Sequence, residues 1–209
     1  MPAIYTKQSE VFSRGYQTKT EIARAFDRLC IDTAFSRIST EAIAKEANVG
    51  RSTFYRYFSD KNEVVQWLSL LCYANGLDQI GRSLNWFEGH LNTTRGFRQF
   101  KYLLTAASKS TEYGGGVPFF IRHRQQNITE TIVDFQKLEL TTLLAIQIEA
   151  LPYAEQLIGN NYHKGIYDIS IREYCDTMIS LVPRELFDAL NNPVHPDSFN
   201  DNFLTLPQS

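Results

Sequence analysis

The chain has 209 residues, 43% of them hydrophobic and 21% charged, the balance of an ordinary globular protein with enough length for one or two cores. No apolar run approaches the roughly 20 residues that a bilayer-spanning helix needs, the first residues lack the apolar stretch of a signal peptide, and Cys30, Cys72 and Cys175 lie far apart, which argues against a disulfide framework and suits a reducing, cytoplasmic setting. The formal net charge of −2 is unevenly shared: residues 1–61 hold ten basic against seven acidic side chains and the remainder is acidic, so an anionic partner is expected at the N-terminal third.

Residues 18–35, TKTEIARAFDRLCIDTAF, place Ile22, Phe26, Leu29 and Thr33 at helical spacing with Cys30 beside them. ISTEAIAKEANV (38–49) opens on a Ser-Thr cap with Glu41 in its first turn. Its short apolar face is Ile43, Ala44 and Ala47, and it ends at Asn48, which tolerates a left-handed turn. Gly50 then caps the short segment RSTFYRYF. After it, Asp60 with Glu63 three residues later forms a capping-box variant, opening a helix that turns Val64, Leu68, Leu71 and Cys72 inward. Three helices in this span, the last two short and separated by a tight turn, have the outline of a helix-turn-helix.

On a wheel at about 100° per residue, Phe54 and Phe58 fall about 40° apart and define a buried edge. Ser52 and Arg56 lie opposite with Thr53 nearby, and Tyr55 and Tyr57 flank the rings. Such a helix is anchored from behind and offers small or forked donors in front, which suits the major groove of DNA. Ser52 and Thr53 let the helix axis come close. Arg51 and Arg56 reach base edges or phosphates.

Beyond residue 80, the segments 94–108, 118–140, 141–150 and 166–182 carry apolar residues three and four apart and are expected to be helices. In the second, Ile121, Ile128, Ile132 and Phe135 form one stripe. YGGGVP (113–118), Pro152 and GNNYHKG (159–165) mark breaks, and the tail from residue 191 is expected to be irregular. No period-2 run argues for a sheet. The basic stretch IRHRQQ (121–126) reads as a solvated helix face, and the scattered Asp and Glu residues as surface. The aromatic residues of this part, among them Trp67, Trp86, Phe87, Phe97, Phe100, Tyr102, Tyr113, Phe119 and Phe120, read as helical core. His90, His123, His163 and His195 lack ligand spacing, so no metal is expected. No nucleotide-binding or catalytic motif is present, and no cofactor is expected.

TEAIAKEANVGRSTFYRYFSDKNEV resembles the DNA-binding segment of the TetR family of transcriptional repressors, and EIARAFDRLCIDTAFSRIS resembles the first helix of that segment. The resemblance covers residues 15–65. Two positions depart from the family pattern: Asn48 stands where Gly is usual, and Gly50 where Ser or Thr is usual. The resemblance implies an all-α protein with a helix-turn-helix DNA-binding domain at 1–60, a helical regulatory and dimerisation domain at 61–190 and an irregular tail at 191–209. It implies base contacts from Arg51 and Ser52, with Tyr55 beside them. It implies phosphate contacts from Thr40, Tyr55, Arg56, Tyr57 and Lys61, with Arg14 and Lys19 within reach of the backbone. It further implies a homodimer on a pseudo-palindromic operator in double-stranded DNA, with no membrane partner. The dimer interface is expected on the last two long helices, 166–182 being one and either 118–137 or 138–151 the other. A repressor of this kind is released by a small-molecule inducer, and Trp67, Trp86, Phe100 and Phe119 are the candidate walls of its pocket. The competing reading is a small helical ligand-binding protein or enzyme without DNA binding, in which the tyrosine-rich helix serves packing alone.

Overall fold

A computed structural model describes residues 15–110 and 116–196. Apart from one isolated bridge between Ile80 and Leu84, the regular elements among these residues are all helical. None of the helices among them is long and apolar enough to cross a membrane.

Helix α1 (Tyr16–Leu29) buries Ile22, Ala23 and Phe26. It starts at Gly15, whose φ of 92° is left-handed. A Cβ at Gly15 would overlap the Tyr57 ring, so this start needs glycine on both counts. A 3-10 turn (Phe35–Arg37) leads to α2 (Thr40–Glu46), whose cap Ser39 accepts from the Ala42 N–H at 3.1 Å. The turn to α3 (Arg51–Tyr57) passes through Asn48 at φ 52°, and the Val49 N–H closes it on the Ala44 carbonyl at 2.9 Å. Asn48 therefore does the work of the family's usual glycine.

Helix α4 (Lys61–Ala74), capped by Asp60, runs from this head into the body. There follow α5 (Trp86–Gln99), α6 (Lys101–Lys109), α7 (Gly116–Glu130), which continues as a π turn (Thr131–Phe135), α8 (Thr142–His163), α9 (Ile171–Ser180) and α10 (Arg184–Leu190). One core lies beneath the head and joins Ile22, Phe26, Ile43 and Phe54 to Leu68 of α4 and Leu103 of α6. A second fills the body around Trp86, Ile128, Ile132 and Leu186, and a third, smaller one holds Tyr162, Tyr174, Cys175 and Met178.

Several expected boundaries move. The segment 94–108 is two helices, broken at Phe100. The Phe100 ring turns into the head core, and Asp27 of α1 caps the new helix by accepting from the Leu103 N–H at 2.8 Å. Pro152 lies inside α8 and does not end it. Proline removes one backbone bond, and burial of Ile148, Leu151 and Pro152 along this stretch outweighs that loss. The break foreseen at 159–165 falls after His163, with Gly165 at φ 74°. Helix α7 takes in Val117 and Pro118 from the foreseen loop, Pro118 sitting in the first turn where no N–H partner is needed. Tyr113 and the rest of that loop's start lie outside the described residues, as does the tail from 197. The helix foreseen at 166–182 begins at Ile171, with a Ser170–Glu173 capping box.

The basic stretch 121–126 is not a solvated face. His123 and Arg124 are each 1% exposed. Their partners, Asp78 and Glu155, are buried as well, contrary to the surface expected of isolated acids. The partners come from other elements, so no local spacing announces them.

Candidate nucleic-acid interface

The short helix α3 is seated as the wheel requires. Phe54 is 0% and Phe58 2% exposed. Their ring centroids are 6.0 Å apart, and Phe58 meets Trp67 of α4 edge-on at 5.9 Å. Each buried ring contributes about 2 kcal/mol from area alone, so the helix is fixed from behind. On the other side, Arg51, Ser52, Tyr55 and Arg56 are exposed, while Thr53 and Tyr57 are half-buried.

Three of the named residues form one cluster where α2 and α3 begin. The Tyr55 and Thr40 hydroxyls are hydrogen-bonded at 2.9 Å. The Arg51 guanidinium lies 5.5 Å over the Tyr55 ring and pairs with the Glu41 carboxylate at 3.1 Å. A backbone N–H at the helix start, with Arg51 adding to it, holds the Glu41 carboxyl below the usual carboxylate range. Glu41 was legible only as a helix-start acid; its pairing crosses the turn and has no signature in spacing. Ser52 and Arg56 make no side-chain hydrogen bond or ion pair among the described residues, so their donors face outward unengaged.

Three further residues are drawn into the frame. Lys61 donates from its ammonium group to the carbonyls of Phe35, Ser36 and Ile38 at 2.9, 3.4 and 3.2 Å, and lies 4.8 Å over the Phe35 ring. It thereby ties α4 to the 3-10 turn ahead of α2. The Tyr57 ring packs on the start of α1 at Gly15. Lys19 lies over the Phe58 and Trp67 rings at 5.8 and 5.7 Å, and burial pushes its ammonium pKa down. Arg14 lies outside the described residues. Arg37, exposed two positions before the Ser39 cap, is a further cation of the head. A three-residue turn has no periodicity by which to single it out.

The body holds a cavity of about 160 Å³, bordered by residues of α4 through α9. Of the four aromatic candidates, Phe119 lines it. Trp67 and Phe100 belong to the core beneath the head. Trp86 is fully buried and stacks behind His90, with ring centroids 6.2 Å apart. The cavity's polar lining includes His90, Glu155 and His163, which sequence spacing did not bring together.

Residues 22–67 match the family of bacterial regulatory proteins of the tetR type. A stretch of 51 residues is 37% identical to the HTH-type dhaKLM operon transcriptional activator DhaS of Lactococcus lactis subsp. lactis (strain IL1403). That match takes in 24% of this chain and 27% of the relative, so the chain spans about a quarter of the length of that curated relative. The solved structure of a dihydroxyacetone kinase operon activator DhaS is similar with a TM-score of 0.61 and 18% identity, over 84% of this chain and 98% of that one. At that identity the likeness is one of fold.

Proposed function

We propose that this chain, a TetR-family regulator by its DNA-binding domain at residues 22–67, acts as a homodimer that reads a pseudo-palindromic duplex site and is controlled by a small molecule held in its body. The observation that carries this reading is the orientation of α3: two phenylalanines buried behind, and Arg51, Ser52, Tyr55 and Arg56 turned out. Arg51 and Ser52 then read base edges. Thr40, Tyr55 and Arg56 contact phosphates, and Tyr57 and Lys61 hold the frame from which they do so.

A second copy is expected on α8. Its exposed residues include Leu143, Ile146, Tyr153 and Leu157, between 50% and 61% exposed, with Ala150 among them. Their steps of three, four, three and four match the seam of a helix pair. The outer face of α9 is polar, with Arg172, Glu173, Asp176 and Thr177 exposed. The reading therefore centres the dimer on α8 rather than on the 166–182 segment. Two linked heads gain by effective concentration what one small head lacks.

Control follows from what the cavity touches. Val65 and Ser69 of α4 and Leu104 and Ala107 of α6 border it. Helix α4 is tied to the head by Lys61, and α6 is capped by the head's Asp27. A ligand that prefers one arrangement of these two helices shifts the spacing of the heads by its differential affinity. The TetR resemblance favours repression, whereas the matched relatives are named activators. A promoter fusion decides: expression that rises when the chain is removed makes it a repressor, and expression that falls makes it an activator.

The test of the whole reading is a salt titration of binding to random and to selected duplex DNA. Binding that weakens steeply between about 50 and 200 mM salt, with selected sites preferred, is the expected result. A chain that binds neither duplex returns the reading to a ligand-binding protein without DNA.

A further inference from the structure

We propose that the body cavity takes a small uncharged molecule that donates hydrogen bonds from a hydroxyl or amide group and lays an apolar face of single-ring size against the aromatic wall. This ligand is the effector of the regulator proposed above, and the claim about its chemistry rests on that reading.

The first support is that the charged side chain among the described lining residues, Glu155, is already paired from behind by Arg124. The Glu155 carboxylate, 1% exposed, is held from two sides by Arg124 at 3.0 and 3.2 Å. Arg124 is equally buried and gives its remaining bonds to the Leu77 carbonyl and the Asn127 side chain at 3.0 and 3.1 Å. The pair is closed upon itself. Burial pushes both His90 and His163 down to about 4, so both rings are neutral at ordinary pH. A charged ligand would leave water and find no unengaged counter-charge among the described lining residues.

The second support is the sense of the hydrogen bonds. The hydroxyl protons of Ser69, Thr94 and Ser108 are committed to the carbonyls of Val65, His90 and Thr105 at 2.9, 2.8 and 2.9 Å. Their oxygens keep lone pairs, so these three side chains offer acceptors. A ligand that donates finds these three oxygens along the lining.

The third support is an unmet buried atom. His90 is 3% exposed, and its Nε2 has no hydrogen-bond partner. The nearest carboxylate oxygen, on Glu155, is 3.7 Å away, too far for a hydrogen bond. Leaving such an atom unpaired is unfavourable, and a ligand hydroxyl satisfies it. Tyr73, Phe97, Phe119 and Phe120 supply the apolar wall. A cavity of about 150 Å³ in another protein accepts benzene, which sets the scale for the 160 Å³ seen here.

The test uses the full chain without DNA and four probes on one ring: toluene, benzyl alcohol, benzoate and benzylamine. Calorimetric titration is expected to show benzyl alcohol binding about ten-fold more tightly than either charged probe. His90→Phe is expected to weaken benzyl alcohol about five-fold while toluene binding persists, which also reports that the variant is folded. Should that variant not fold, the His90 ring proton resonances of the native chain provide the second readout, and they are expected to shift on adding benzyl alcohol and not on adding benzoate. Benzoate or benzylamine binding as tightly as the alcohol overturns the proposal. So does an unchanged alcohol affinity in His90→Phe, an unshifted His90 resonance, or failure of all four probes. The salt titration above is independent of these outcomes: DNA binding without probe binding refutes the cavity chemistry alone, whereas probe binding without DNA binding refutes the regulator.

Discussion

In the reading proposed above, Arg51 is the residue on which recognition of the duplex sequence turns. Its guanidinium is parked between the Glu41 carboxylate and the Tyr55 ring, an exposed pair whose own contribution to stability is small. Transfer to a guanine edge therefore has little to overcome, and a bidentate contact there is worth about 1–3 kcal/mol of discrimination. Arg51→Ala is expected to relax site preference about ten-fold or more while leaving affinity for random duplex nearly unchanged. Equal loss on both duplexes would make Arg51 a phosphate contact. Lys61 points to the opposite outcome. With its ammonium on three carbonyls, Lys61→Met is expected to lower stability by about 1 kcal/mol and to leave the salt slope of DNA binding unaltered. A slope shallower by about one, with an unchanged melting temperature, would return Lys61 to the phosphates. Seven of the eight proposed DNA-contact residues sit in α3 or at the start of α2, where the helix wheel sets out the α3 face and the family resemblance adds Thr40. The ties of Glu41 and Lys61 escaped the wheel because each crosses a turn.

Among the elements, α6 shows most clearly how neighbours set a boundary. Its first turn has no capping side chain of its own, and the missing acceptor comes from Asp27 on α1. Burial pushes the Asp27 carboxyl up, with the Leu103 and Tyr102 N–H groups and nearby cations opposing. The ionised form is thus disfavoured by folding. The stability that Asp27 lends is fullest below its ordinary value of 3.8 and declines as pH rises through the raised one. Asp27→Asn keeps the acceptor and removes the charge, so its stability relative to the native chain is expected to rise between acid and neutral pH in denaturant unfolding. Asp27→Ala loses the cap and is expected to cost about 1 kcal/mol. The break at Phe100 and the continuity of α8 through Pro152 were illegible for one reason. Local preference proposes a boundary, and packing from a distant helix overrules it.

Across the whole molecule, the exposed stripe of α8 and the cavity are the two features on which the proposed dimer and its control rest. Ile146→Glu, on a residue 59% exposed, removes no core contact. It is expected to yield a folded monomer by sedimentation, with affinity for a palindromic site down by at least about 100-fold. A variant that stays dimeric would move the interface elsewhere. The helical head, its seating on Phe54 and Phe58 and the outward face of α3 were all readable in the chain, because each depends on residues within a turn or two of one another. The walls of the cavity, the burial of Arg124 with Glu155 and the cap across to α6 were not. The last two join residues 31 and 76 positions apart, and a buried charge looks like a surface charge until the chain folds its partner onto it.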